Sequence, residues 1–224
     1  MFRVAAAGRG GRERAGWPGM PAADEIQSLG GGRYYWQVYN PAVKTELMST
    51  ALNAGDAWYF FDPVPLAPAA LGEFSVKPGC RGAILLTNAN HERAAREYRE
   101  CFRLPIIAHP DAAQSLELSL DQTTADGEAL FGQLVVVALP GAAVGEVAYF
   151  HAATRTLWVG DALIHAEPFG FAALPAKYCN DERRLHAALP RLLELDFDQI
   201  IFAHGTPILS GAHARLSELV ASLR

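Results

Sequence analysis

The stretch Leu85-Leu86-Thr87-Asn88-Ala89-Asn90-His91-Glu92-Arg93 decides how this chain is read. It opens on the end of a short apolar run, Ala83 to Thr87, bounded by polar residues, as expected of a strand buried on both faces. Residues just beyond such a strand in an α/β protein lie at the carboxyl edge of the sheet, where sites form. From His91 to Arg103, residues Ala94, Ala95, Tyr98, Cys101 and Phe102 share one helical face, with charges on the other. A helix is therefore expected to begin inside the stretch. Pro105-Ile106-Ile107-Ala108 reads as the next parallel strand, which completes a β-α-β unit and aims the helix N-terminus at the polar residues.

On the N-terminal side, Tyr34 to Tyr39 and Trp58 to Phe61 are aromatic strand-like runs. Turn chemistry at Asn53-Ala54-Gly55-Asp56 and Asp62-Pro63 bounds the second. On the C-terminal side, Leu134 to Leu139, Val147 to His151 and Arg155 to Val159 form a second strand-rich half, with a tight turn at Ala152 to Thr154. Asp181 to Leu193 carries Leu185, Leu189, Leu192 and Leu193 on one side, and Pro190 should divide that helix by removing a backbone donor. Gln199 to Ala203 is the last buried strand and Ala212 to Leu223 an amphipathic closing helix. The expected layering is a four-layer αββα sandwich, two sheets face to face with helices outside.

A chain of 224 residues, half of them hydrophobic, suits one compact α/β domain. We place that domain at residues 33–224 and read 1–32 as an extension lacking order. Met1 to Gly19 is rich in Arg, Gly and Ala without the apolar core of a secretory signal, and Met20 offers an alternative start. Gly30-Gly31-Gly32 reads as a flexible entry to the domain. The net charge of −5 and the lack of a basic stripe beyond the N-terminus argue against a nucleic-acid partner. No apolar run approaches the roughly 18 to 20 residues of a membrane-spanning helix. Cys80, Cys101 and Cys179 form no C-x-x-C pair and read as buried reduced thiols of a cytoplasmic protein. No serine sits in a G-x-S-x-G elbow.

Five landmarks recur in order: Phe60-Phe61-Asp62-Pro63, the stretch 85–93, Leu139-Pro140-Gly141-Ala142-Ala143-Val144-Gly145-Glu146, Leu157-Trp158-Val159-Gly160-Asp161-Ala162-Leu163, and Phe202-Ala203-His204-Gly205. From about Tyr34 onward the chain resembles the metallo-β-lactamase superfamily, whose catalytic members read T-H-x-H-x-D-H where this chain has Thr87 to Arg93. The resemblance also implies the strand order and two pseudo-duplicated halves. It implies a first metal position at Asn88, Asn90 and Ala142, and a second at Glu92, Arg93, Asp161 and His204, with Asp161 between the two.

Two amides and a methyl cannot replace three imidazoles, and the guanidinium of Arg93 cannot coordinate a cation. The expectation is that Arg93 stands in for the ion electrostatically, facing Asp161 and Glu92. Plainer roles stand beside it: an exposed Arg93–Glu97 helical pair, Glu92 as a first-turn acid, Asn88 fixing the loop and Asp161 tying its own turn to backbone amides. His91 occupies a non-ligand position of the resemblance but could swing inward. His165 follows Asp161 by one helical turn's spacing, while His109, His151, His186 and His213 read as loop or surface residues.

The leading functional expectation is a metal-free pseudoenzyme or small-molecule binding module, with Asn88, Asn90, His91, Glu92, Arg93, Ala142, Asp161 and His204 lining the old cleft. The alternative is a hydrolase of an ester or thioester-like substrate, using one zinc or other divalent ion at Asp161, His204 and either His91 or Glu92. Zinc in such sites brings the pKa of bound water to about 7.

Overall fold

The computed structural model describes residues 20–41 and 44–223. A seven-stranded sheet runs in chain order: β1 (Gln27–Gly30), β2 (Arg33–Asn40), β3 (Thr45–Ala54), β4 (Ala57–Phe61), β5 (Arg81–Leu85), β6 (Ile106–Ala108) and β7 (Gln122–Thr123). β1 to β4 are antiparallel neighbours, and β4 to β7 are parallel. The second sheet has β8 (Ala129–Leu130), β9 (Leu134–Ala138), β10 (Val147–His151), β11 (Thr156–Val159) and, beyond a small hairpin of β12 (Leu163–Ala166) and β13 (Gly170–Ala173), β14 (Gln199–Phe202). β14 pairs parallel to β11 at its edge. The helices are α1 (Pro68–Leu71), α2 (Ala95–Phe102), α3 (Glu182–Ala188) and α4 (Ala212–Ser222).

The period-2 alternation of strands distributes the core into three apolar layers. Along β4, Trp58 and Phe60 point outward under α2 beside Trp36, Ile84 and Tyr98, whereas Tyr59 and Phe61 point between the sheets. There they meet Tyr149, Trp158 and Ile201; Phe61 stacks on Trp158 with ring centroids 4.4 Å apart. The far face of the second sheet, with Leu157, Val159 and Phe202, packs on Leu185 of α3 and Leu216 of α4. The result is the four-layer αββα sandwich.

Several local expectations are corrected. The sheet begins at Gln27 rather than beyond Gly32, because the glycines form the β1–β2 hairpin turn instead of a loose entry. Gly32 lies at φ +76°, and a Cβ there would collide with the Asn53 carbonyl. The reading of Met1 to Gly19 falls outside the described residues. The α2 helix starts at Ala95, not inside the 85–93 stretch, since Arg93 adopts a left-handed φ of +41° that no helix accommodates. Cys101 is exposed, and Cys80 and Cys179 are half-buried rather than core thiols. His151 is buried in β10, bonded to Thr154 Oγ1. Pro190 does end α3, and the chain continues as a 3-10 turn over Leu189–Glu194. Among the described residues no helix is long and apolar enough to cross a membrane.

Candidate functional site

Two parallel strand pairs, β4 with β5 and β11 with β14, end at the same rim of the sandwich. Asp62 follows β4, Thr87 and Asn88 follow β5, Asp161 follows β11 and His204 follows β14. Fully buried Asp62 accepts at Oδ1 from the Thr87 N–H at 2.8 Å and at Oδ2 from the Thr87 hydroxyl at 2.6 Å. The same Oδ2 lies 3.0 Å from His91 Nδ1. The turns that replace the expected helical start swing the His91 ring inward, and its Nε2 lies 3.2 Å from Asp161 Oδ1. His204 Nε2 approaches the same oxygen at 3.2 Å, while its Nδ1 faces the Glu46 carbonyl at 3.2 Å. The ligating atoms of His91, Asp161 and His204 all lie within 4.8 Å of one another.

The other oxygen of Asp161 is held by amides. Asn88 Nδ2 donates to Oδ2 at 3.2 Å and Asn90 Nδ2 at 3.3 Å. Asn88 also donates to Glu146 Oε2 at 2.7 Å, and Glu146 Oε1 accepts the Ala162 N–H at 3.0 Å. The glycine between β11 and Asp161 is required by this packing, because a Cβ on Gly160 would press on Thr87 Oγ1 and Glu146 Oε1. Gly160→Ala is expected to destabilise by about 1–3 kcal/mol through overpacking, readable as a lower urea midpoint with unchanged slope.

Arg93 does not pair with Asp161 or with Glu97. Its buried guanidinium donates to the carbonyls of Met48 at 2.7 Å, Asp62 at 2.9 Å and Ala203 at 3.4 Å. Asp161 takes the two histidines as partners instead. Glu92 also turns away from the centre: Oε2 accepts the N–H groups of Glu117 at 2.6 Å and Leu118 at 3.3 Å, and Oε1 lies 3.6 Å from Arg96. Ala142 is buried in the apolar layer under α3. His165 hydrogen-bonds the Thr206 carbonyl at 2.7 Å, outside the cluster.

Charge is set by these contacts. Burial and the Arg93 cation push His91 down, but carboxylates on both sides outweigh them and raise it to about 9. His204 has only one carboxylate and a carbonyl, so burial keeps it below its usual value. Burial pushes Asp62 and Asp161 up; the adjacent histidines win and hold both below the carboxylate range. For Glu146, burial and the nearby Asp161 outweigh the Ala162 N–H, His91 and the Asn88 amide, and raise it to about 8. For the metal-free protein the signs agree. A raised carboxyl loses its contribution as pH climbs from its unfolded value toward 8, and a raised histidine loses its own between about 6.5 and 9. Chelated protein should therefore unfold at progressively lower denaturant between pH 6.5 and 9.

Donor counting shows what the cluster can hold. The Thr87 hydroxyl spends its proton on Asp62, so all four ring nitrogens of His91 and His204 face acceptors. A neutral imidazole has one N–H. One imidazolium and one neutral imidazole give the three acceptors a proton each but leave one ring lone pair aimed at an acceptor; protonating every nitrogen would need two imidazolium ions whose ring centroids lie 5.4 Å apart, beside buried Arg93. With both Nδ1–H groups directed at Asp62 and Glu46, the two Nε2 lone pairs and Asp161 Oδ1 instead converge as a two-histidine, one-carboxylate donor set. Ligands about 2.0–2.2 Å from a tetrahedral zinc stand roughly 3.3 Å apart, close to the 3.2 Å that separates Asp161 Oδ1 from each Nε2, and the whole donor set lies within 4.8 Å. A first metal does not fit, because Asn88 and Asn90 turn N–H donors toward Asp161 and Ala142 offers no ligand.

Asp62, Thr87 and Glu146 belong to the site although sequence reasoning assigned them no part in it. Asp62 was visible only as a strand end and Glu146 only as a residue of a landmark.

A family model described as the metallo-beta-lactamase superfamily matches residues 27–223. No curated protein matches the chain. Among solved structures, the DIM-1 metallo-β-lactamase exposed to ceftazidime superposes with a TM-score of 0.70 at 12% identity, covering 92% of this chain and 99% of that one. A metallo-β-lactamase family protein from Thermus thermophilus gives 0.63 at 20% identity over 88% and 80% of the two chains. A metallo-β-lactamase from Erythrobacter litoralis gives 0.67 at 14% identity over 88% and 96%. With the matched fold and the landmarks at the rim, the chain belongs to the metallo-β-lactamase superfamily.

Proposed function

We propose that this chain is a one-metal hydrolase of a small ester or thioester-like substrate, with a divalent ion, zinc by its donor set, held by His91, Asp161 and His204. The observation that carries this reading is the acceptor on every ring nitrogen of the two histidines, which a cation at their shared focus resolves. Three protein ligands leave a coordination position for substrate or water, the arrangement of catalytic rather than structural zinc. When bound, such an ion supplies Lewis acidity toward water and a carbonyl oxygen.

The chain's own residues prepare that chemistry. Asp62 and the Glu46 carbonyl fix the tautomers of His91 and His204, as outer carboxylates and carbonyls do for metal-bound imidazoles. Asn88 and Asn90 occupy Asp161 Oδ2 and leave Oδ1 toward the histidines. Arg93 ties the strand ends that bear Asp62 and His204 to each other through their backbone carbonyls.

One observation favours the metal-free binding module as a second reading. His91 lies between Asp62 and Asp161, so its imidazolium together with Arg93 balances those two carboxylates without an ion. Turnover of a panel of nitrophenyl esters and thioesters, before and after chelation and after zinc is restored, separates the two. The hydrolase reading expects chelator-sensitive turnover that zinc restores and that His91→Ala abolishes. Turnover indifferent to chelation, or absent with zinc bound, contradicts it.

A further inference from the structure

We propose that Glu146 is a positioning residue for the metal centre, acting through Asn88 to set which oxygen of Asp161 faces His91 and His204; this rests on the one-metal reading above. Every polar atom of the Asn88 amide is committed. Its Oδ1 accepts the Asn90 N–H at 2.8 Å, and its two N–H groups go to Glu146 Oε2 at 2.7 Å and Asp161 Oδ2 at 3.2 Å. A flipped amide would turn its N–H groups toward the Asn90 N–H and its oxygen toward the Asp161 carboxylate, so the orientation that gives an N–H to Glu146 Oε2 is the one that satisfies the whole group.

Glu146 holds Asp161 from two sides. Its Oε1 takes the N–H of Ala162, the residue next to Asp161, and its Oε2 reaches the Asp161 side chain through Asn88. The grip is tight, since Gly160 leaves no room for a methyl beside Oε1. Among the described residues Glu146 makes no ion pair, and it is only 3% exposed. An unpaired buried carboxyl is a burden that an apolar residue of similar volume would relieve, so packing alone does not account for it.

The arrangement also inverts the polarity that the family resemblance implies. Where a histidine would offer a lone pair to a cation, Asn88 offers an N–H to an anion. The first metal position is thereby filled by a hydrogen-bonded amide and carboxylate, which serve the remaining donor set.

The test uses the full chain and zinc alone. Glu146→Gln keeps the shape but must turn an N–H toward either the Asn88 amide or the Ala162 N–H. Its zinc dissociation constant, measured against a competing chelator, is expected to rise about 10–100-fold, the range for outer-shell partners of metal ligands. Asn88→Ala should cause a similar loss, and the double variant less than the sum of the two, because the Asn88 arm is shared while the Ala162 arm belongs to Glu146 alone. Asn88→Ala also carries the test if Glu146→Gln does not fold.

A readout free of metal runs beside it. In chelated protein the two Asn88 side-chain N–H resonances, assigned by their disappearance in Asn88→Ala, should exchange slowly with solvent, and Glu146→Gln should shift them and speed that exchange. Unchanged resonances, unchanged zinc affinity, or additive losses in the double variant overturn the proposal. If the wild-type chain binds no zinc, the one-metal reading falls and the metal-directed role of Glu146 with it, while the amide resonances alone still report whether Glu146 orients Asn88.

Discussion

Arg93→Ala is expected to lower unfolding stability by roughly 3–5 kcal/mol, the range for removing one member of a buried charged unit. The guanidinium donates to three carbonyls from strands far apart in the chain, and all are buried with it. Ala203 O keeps the Met48 N–H as a partner and Asp62 O keeps the Ser49 hydroxyl, which limits the loss to less than three orphaned groups. Arg93→Lys should recover only part, because an ammonium lacks the planar fork that spans these acceptors. A double-mutant cycle locates the electrostatic partner. Coupling of Arg93 with Asp62→Asn should exceed coupling with Asp161→Asn, since Asp62 is the larger electrostatic influence on the guanidinium. Dominant coupling to Asp161 in urea unfolding would restore the direct pairing that the sequence suggested.

His91→Ala is expected to weaken zinc binding more than about 100-fold, beyond the range for a residue that only supports a ligand. Asp62→Asn should fall within about 10–100-fold, as the carboxylate behind a ligating imidazole. Glu92→Gln should leave zinc affinity unchanged, because Glu92 is committed to the backbone of Glu117 and Leu118. Chelator competition on the three variants tests the ranking. A loss for Glu92→Gln as large as for His91→Ala would place the ion at the other donor set that the sequence left open.

The fold was legible because its signals are local. The aromatic run Trp58 to Phe61, the apolar run into Thr87 and the turn at Gly55-Asp56 each act over a few residues, and the strands formed there. The centre was less legible because its partners are distant. Glu146 meets Asn88 across 58 residues and Asp62 meets His91 across 29, and neither pair carries a spacing motif. Arg93 was read against side-chain charges at helical spacing, but its acceptors are backbone carbonyls, which leave no mark in a sequence. His91 depends on conformation alone. Had the helix begun at His91, the ring would have followed the helix surface; the turn ending in left-handed Arg93 brings it beneath Asp161 instead.

The central claim is the ion at His91, Asp161 and His204, and its most direct test is the zinc content of the full chain after exposure to zinc and exhaustive dialysis. Elemental analysis should find about one zinc per chain in the wild type, as a single three-ligand site requires, and essentially none in the Asp161→Ala, His204→Ala double variant. A wild-type chain that leaves dialysis without zinc, or a double variant that keeps it, would contradict the account.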